Sequence, residues 1–452
     1  MSKETLSFVT PPPPPKNYKI SSAFSYNFKL ALTAGKAVSE AVPLQKPMAT
    51  IAVAACCDTK YHEIAFVTDI VRKSGNAPLT VDISTGPHVP MQADITREEV
   101  LAAGGYTWEQ VHAMGKSDAI SAMTESIKAM MSRLCAEGRI QGALGMGGLQ
   151  NSVVCSAAFR CLPIGFPKLI CSTIACGARE FETVVGDKDI MVTPSIVDFA
   201  GVNPINEVVL ENAVAAIIGM TSYGGRRIDT RGQKYTATTL MGITNDTVMR
   251  ASDILSARGV HMISFHSTGI GGKVMEDMIR EGVISAVMDL SLHEMTAEYL
   301  GDYGYSRGAR NRLAAAAEMG IPTLVVPGGI DFACLRPREL MADQEERGYV
   351  WHNKDLTHTK LWEHEILDIT RTIAERLNRS TGKTEVILPM GGLRTLSGPG
   401  EPFHKPETIR KMRDIFQQEL KEEIIFKTSP LSFCDPGFAD LCADEMYALL
   451  QE

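Results

Sequence analysis

The amino-acid sequence predicts an α/β protein whose two halves each carry a mainly parallel sheet. Three observations lead there. Short, nearly continuous apolar runs of strand length alternate with segments whose apolar residues recur at helical spacing. Glycine pairs follow the apolar runs at Gly147–Gly148, Gly271–Gly272, Gly328–Gly329 and Gly391–Gly392. That position is the carboxyl end of a strand, where open parallel sheets take their ligands. A polar, basic, glycine-bearing stretch from Thr221 to Lys234 interrupts the alternation once and divides the chain. The 452 residues suffice for two or three domains with substantial cores. The expected organisation is a flexible extension over 1–47, a first α/β domain over 48–221, a linker over 222–236 and a second α/β domain over 237–452.

Taken in order, the first 47 residues stand apart. Pro11 to Pro15 form a run that favours polyproline II, and from Lys16 to Lys36 there are basic residues but no acids. A targeting peptide would carry arginine or a long apolar core, and this stretch has neither, so a tail or an arm packing on the body is expected. Ala49–Ala55 reads as a strand buried on both faces. It runs into Cys57-Asp-Thr-Lys-Tyr-His-Glu63, with Asp58 and Thr59 as capping types ahead of a helix over Ile64–Lys73. Leu79–Ser84 is the second strand, followed by a polar loop through Thr96. Met114–Gly138 contains a helix with Ala119, Ile120, Met123, Ile127, Met130 and Leu134 on one face. Ala143–Met146 enters the turn Gly147-Gly-Leu-Gln-Asn-Ser152 ahead of another helix. Lys168–Thr173 and Asp189–Thr193 are short strands, and Glu207–Met220 is a helix expected to be buried on several sides.

Past the linker, strands are expected at Ala237–Ile243, Val260–Phe265, Ile284–Leu290, Thr323–Gly329 and Thr384–Pro389, with Thr244-Asn-Asp246 as a helix cap. The stretch His266-Ser-Thr-Gly-Ile-Gly-Gly-Lys273 joins the second of these to a helix starting at Val274. A helix N-terminus offers free backbone N–H groups and a positive dipole end, which bind phosphate or carboxylate. Gly269, Gly271 and Gly272 would allow φ > 0 and close approach to a ligand. The spacing is not that of a Walker A loop. A strand-to-helix turn without a ligand explains the same stretch.

Charge and composition exclude other classes. A net charge of −8 with scattered Lys and Arg gives no nucleic-acid footprint. No run of about eighteen apolar residues is present, so no membrane span is expected. The ten cysteines form no C-x-x-C pair and read as free thiols of a reducing, cytoplasmic compartment.

The ordered set Asp58-Thr-Lys60, Gly145-Met-Gly-Gly148, Pro167–Thr173, His266–Gly272 and Leu388-Pro-Met-Gly-Gly392 resembles a little-characterised family. That family contains the ATP-binding N-terminal part of a plant tobamovirus-resistance protein and many bacterial and fungal relatives. The resemblance runs from about Met48 to the C-terminus. It implies two Rossmann-like subdomains, ATP with Mg²⁺ in the cleft between them, and a homo-oligomer, most simply a dimer. It also implies a partner, since relatives are often fused to or encoded beside a TIM barrel resembling a phosphoenolpyruvate hydrolase. One departure stands out. Where the family carries Gly-Gly-Ser-Gly-Gly-Thr, this chain has Gly147-Gly-Leu-Gln-Asn-Ser152. Leu149 and Gln150 bring side chains to the turn, while Ser152 stands in for the threonine hydroxyl.

The candidate nucleotide residues are Asp58, Thr59, Lys60, Gly147, Gly148, Ser152, Ser172, Thr173, His266, Thr268, Gly269, Gly271, Gly272, Gly328, Gly329, Gly391 and Gly392. Asp58 and Asp289 are candidate Mg²⁺ ligands. Lys60 would meet a phosphate with Asp58 reaching the metal through water, although a helix cap and a solvated lysine account for the same pair. His266 would serve as a base or an anion ligand, or simply bond within its loop. Asp289 and Glu294 would serve a metal or a hydroxylated substrate, or cap a helix, and Asp331 is read in the same two ways. His352, His358 and His364, spaced by six, share no helical face and are set aside as a metal site. Arg336–Lys360 is a lid or interface segment. No nucleophile–base pair stands at a diagnostic spacing. That favours a nucleotide-binding protein acting through a partner, with a stand-alone enzyme acting on a small phosphorylated or carboxylate metabolite, by phosphoryl transfer or hydrolysis, as the alternative.

Overall fold

The computed structural model describes residues 48–175, 182–224 and 228–451. The expected extension over 1–47, Cys176 and the middle of the expected linker (225–227) lie outside them. The described chain forms two compact units that meet in sequence at Gln233 and Lys234.

In the first unit the elements run β1 (Thr50–Ala55), α1 (Tyr61–Lys73), β2 (Ala77–Asp82), α2 (Arg97–Ala103), α3 (Trp108–His112), α4 (Lys116–Ala136), β3 (Gly142–Gly147), α5 (Leu149–Arg160), β4 (Lys168–Ser172), α6 (Glu182–Val185), β5 (Met191–Pro194) and α7 (Pro204–Tyr223). The five strands form one sheet in the order β2-β1-β3-β4-β5, with every pairing parallel. Burial on both faces explains the unbroken apolar run of β1. Ala52 and Ala54 pack with α4 and α5, whereas Ile51, Val53 and Ala55 pack with α1 and α7. Helix α4 buries Ala119, Met123, Ile127, Met130 and Leu134 of the predicted face and leaves Ile120 half-buried. Helix α7 departs from expectation: Ile205 and Val208, in its first half, are more than half exposed. Its uniform apolar composition gave no face to read.

The second unit contains β6 (Tyr235–Leu240), α8 (Asn245–Ala257), β7 (His261–His266), α9 (Ile270–Arg280), β8 (Ile284–Asp289), α10 (His293–Tyr299), α11 (Ala314–Met319), β9 (Thr323–Val325) and β10 (Phe332–Leu335). It continues with α12 (Gln344–Arg347), β11 (Tyr349–Asn353), β12 (Leu356–Lys360), α13 (Glu363–Leu377), β13 (Thr384–Pro389), α14 (Pro406–Glu419), β14 (Ile425–Ser429) and α15 (Pro436–Gln451). Six parallel strands lie in the order β14-β13-β9-β8-β6-β7. Helices α8 and α15 cover one face, with Phe438 and Met446 against Met288 and Leu324. Helices α13 and α14 bury Ile369, Ile373, Met412 and Phe416 on the other side against Val325 and Val386. The segment read only as a lid or interface, Arg336–Lys360, supplies α12, β11 and β12, and β10, just ahead of it, joins the two strands in a small antiparallel sheet, β10-β12-β11. In both sheets the order reverses once: beside β1 and β3 in the first, beside β6 and β8 in the second. Those are the points where a crevice opens beyond the carboxyl ends.

Candidate functional site

Three of the four glycine pairs fall at or just beyond strand carboxyl ends, as read from the sequence, and Gly271–Gly272 lie in the first turn of α9, which follows β7. Their surroundings differ, and the difference selects a site. In the first unit, β3 ends at Gly147 and α5 begins at Leu149, with Gly148 as its N-cap and, among the described residues, no side chain capping it. The first helical bond runs from Ser152 N to Gly148 O (2.9 Å), so the N–H groups of Leu149, Gln150 and Asn151 lie ahead of it at the sheet's edge. Hydroxyls gather behind this turn. The Ser152 Oγ and Ser172 Oγ atoms lie 2.5 Å apart, and Thr173 N donates to Gly147 O at 3.1 Å. Gly147, Gly148, Ser152, Ser172 and Thr173 are therefore brought together by the pairing of β3 with β4.

Across the switch point, the loop after β1 holds Asp58, Thr59 and Lys60. Asp58 is half-buried and accepts from Thr59 Oγ1 (3.0 Å) and Gly86 N (3.2 Å). Lys60 is the N-cap residue of α1, and its Nζ donates to Phe199 O. One further bond joins the two loops: Cys56 Sγ donates to Asn151 Oδ1 at 2.8 Å, with both residues buried. Neither was singled out for this role in the sequence, because residues 95 positions apart gain meaning only when strands pair.

The stretch His266–Lys273 is arranged differently from what its sequence suggests. Gly269 N and Gly272 N both donate to the Glu294 carboxylate, at 2.7 and 3.0 Å. An internal side chain thus takes the place expected for a phosphate. Gly269 alone of the three glycines has positive φ, +94°. Gly271 is needed because a Cβ there would stand 2.0 Å from His266 O, and Gly272 because its Cβ would stand 1.9 Å from Glu294 Oε2. These glycines admit the protein's own groups. Thr268 N turns back to His266 O at 2.8 Å, and the His266 imidazole is held below its usual pKa by partial burial.

Glu294 belongs to a buried cluster centred on Arg312. The guanidinium meets Glu294 Oε2 at 2.7 Å and Asp289 Oδ2 at 2.8 Å, with Glu276 at 3.6 Å. Asp289, expected to serve a metal, is instead wholly buried, with Thr239 Oγ1 donating to its other oxygen. Three carboxylates share one guanidinium away from water, and burial raises the Glu294 pKa to about 7 against the pull of Arg312. Among the described residues no group of three or more His, Cys, Asp or Glu is placed to hold a metal ion.

The remaining glycine pairs also face protein. A Cβ on Gly328 would strike Leu290 O at 2.2 Å, and Gly329 N donates to Leu393 O at 3.2 Å. A Cβ on Gly391 would meet Ser432 N at 2.6 Å, and one on Gly392 would meet Ser397 O at 2.3 Å. These two loops bring Asp331 and Arg394 together in a buried pair, Nε to Oδ1 at 2.8 Å. Arg394 stands two residues past the quoted motif Leu388–Gly392, and nothing local marked it as buried.

Comparison with known proteins agrees with this two-unit division. Residues 49–225 match the N-terminal domain, and 233–450 the C-terminal domain, of an uncharacterised protein family, UPF0261. A UPF0261 protein of Clostridium tetani is 31% identical over 399 residues, covering 87% of this chain and 97% of that protein. The ToMV resistance protein Tm-1(GCR237) of Solanum lycopersicum is 30% identical over 410 residues, covering 86% of this chain and 54% of the tomato protein. This chain therefore spans about half the tomato protein's length. Among solved structures, UDP-GlcNAc 2-epimerase of Methanocaldococcus jannaschii aligns with 61% of this chain and 83% of that chain. Its identity is 7% and its TM-score 0.20. No helix among the described residues is long and apolar enough to cross a membrane.

Proposed function

The chain belongs to the uncharacterised protein family UPF0261, and from that premise we propose a nucleotide-binding protein whose first unit takes ATP–Mg²⁺ at the N-terminus of α5. The observation that carries this reading is the contrast between two strand–glycine–helix turns. At α9 the helix N-terminus is filled by Glu294. At α5, among the described residues, no side chain caps the helix, and the turn lies beside the reversal of strand order. Free N–H groups, a positive dipole end and the hydroxyls of Ser152, Ser172 and Thr173 suit a phosphate group. Nucleotide rather than free phosphate is taken from the motif resemblance. Mg²⁺ would arrive with the phosphates and keep most of its water, Asp58 being the nearby carboxylate able to reach it through one. The same reading has the protein act in the cytoplasm with a TIM-barrel partner. It also has the chain self-associate as a two-fold dimer, and light scattering that found only monomer at micromolar concentration would remove that part.

A melting experiment tests the central claim. Ligand at a hundredfold excess over Kd stabilises by roughly 2.7 kcal/mol, so the transition should climb with ATP–Mg²⁺. A melting temperature that stays flat to millimolar ATP–Mg²⁺ would remove the proposal.

A further inference from the structure

From the second unit we infer a separate site, a buried receptor for a small carboxylate whose anchor is Arg394. It lies beyond the carboxyl ends of three neighbouring strands, β13, β9 and β8, where open sheets of this type take ligands. The loop after β13 supplies Arg394, the turn after β9 supplies Asp331, and α10 supplies His293. The antiparallel sheet closes over them with Phe332 and His358. Phe332 is the hub. Its ring lies 4.0 Å from the Arg394 guanidinium carbon, 4.1 Å from the His293 ring and 4.6 Å from the His358 ring.

The anchor is underused by the protein itself. Arg394 is fully buried, and among the described residues its side chain is bonded through Nε alone, to Asp331, with Nη1 and Nη2 left without a partner. Asp331 Oδ2 and His358 Nδ1 are likewise buried without one. A guanidinium has five donors and stays charged at every physiological pH, so leaving its outer edge unbonded in the interior is costly. Phe332 and Phe403, 4.0 and 4.2 Å away, occupy ring-contact positions around it. The Nη edge is the part left to bind, and a planar fork of two N–H groups matches the two oxygens of a carboxylate. Asp331 and Lys405 line one small cavity beside this pair, with Glu363 and Glu365 as further carboxylates acting on Lys405. Burial and the Arg394 charge hold His293 and His358 well below the usual pKa, so both offer neutral imidazoles.

That cavity is about 10 Å³, the room of one water molecule, and it is lined by Asp331, Phe403 and Lys405 but not by Arg394. A carboxylate therefore enters by displacing a wall. The segment that would have to yield is Leu396–Pro402, which carries Gly398, Pro399 and Gly400 between Arg394 and Phe403 and whose Ser397 lines the cavity. Such a receptor would also give an anchor to the alternative reading of the chain as an enzyme acting on a small carboxylate metabolite.

The test uses the whole chain with acetate, pyruvate and inorganic phosphate as probes, at constant ionic strength set with chloride. Acetate or pyruvate should raise the melting temperature saturably. The double variant Arg394→Met with Asp331→Asn, which removes both charges together, should weaken that response at least tenfold. His358→Phe keeps the aromatic stack and the ion pair, and should weaken it severalfold. Absence of a saturable response to either carboxylate would overturn the inference, as would a response to phosphate alone. If the double variant does not fold, an unchanged affinity in His358→Phe overturns it as well. Loss of the ATP response leaves this test untouched, because its residues and probes belong to the other unit.

Discussion

Gly272 shows how one residue was chosen by what lies beside it. The sequence presented it as a phosphate-loop glycine, and its position after β7 was legible. Its partner was not, because Glu294 is 22 residues away and reaches the loop only once β7, β6 and β8 are paired. A Cβ at Gly272 would stand 1.9 Å from Glu294 Oε2 and 2.3 Å from Arg312 Nε. Gly272→Ala must therefore push Glu294 off Arg312, and breaking a buried ion pair costs about 3–5 kcal/mol. We expect a loss of that size in urea unfolding, with ATP affinity unchanged in whatever protein folds. A Gly272→Ala protein as stable as the parent would sink this account. Arg312 itself went unremarked because an arginine ahead of an alanine run looks like a solvated helix start. Its burial follows from carboxylates 18 and 23 residues upstream.

Among the elements, α5 gives the sharpest experiment. Its N-terminus has no side-chain cap, so an added negative charge there should stabilise the helix by about 0.3–1 kcal/mol. In Gln150→Glu that same charge would compete with a bound phosphate. The expected outcome couples two opposite signs: a slightly higher melting temperature without ligand, and ATP binding weakened about tenfold, or ~1.4 kcal/mol. Stability and affinity rising together would place the phosphate elsewhere. The antiparallel sheet carries a different lesson. Histidines six apart were discounted because a helix would not align them, yet the turn between β11 and β12 stacks the His352 and His358 rings at 4.9 Å. Hairpin pairing can bring together what helical spacing separates, and the polar, charge-mixed sequence of Arg336–Lys360 gave no period from which to choose.

On the scale of the whole molecule, the buried ionisable groups set an acid limit. Burial lowers the His293 pKa to about 4, whereas the unfolded chain protonates near 6.5. Between those values the unfolded state binds the extra proton, so this histidine's contribution is present above pH 6.5 and is lost as pH falls to about 4. At roughly 1.4 kcal/mol per pH unit, the loss is on the order of 3 kcal/mol. Glu294 works in the opposite direction. Its folded pKa near 7 lies above the unfolded value, so its proton favours the native state below pH 7 and partly masks the histidine in the parent protein. The difference between parent and His293→Gln isolates the term. That variant can still bond Gly329 O, and its stability should fall less steeply from pH 7 to 4. Parallel urea-unfolding profiles for the two proteins would show that His293 is not held neutral.

What the sequence determined by itself is local and periodic. Unbroken apolar runs such as Ala49–Ala55 require burial on both faces, and that requirement specifies a parallel sheet between helices before any partner strand is known. The glycines after strands were legible for a similar reason, since a chain turning sharply into a helix needs them wherever backbone comes close. The ordered motifs also sufficed to place the chain in its family. Only tertiary structure decided what each glycine admits. An uncapped helix at Gly148 and one filled by Glu294 at Gly269 have nearly the same local signature. They differ in a carboxylate brought in from another strand's loop. Arg312 and Arg394 follow the same physics, because a charge can remain in the interior only beside groups that long-range strand pairing delivers.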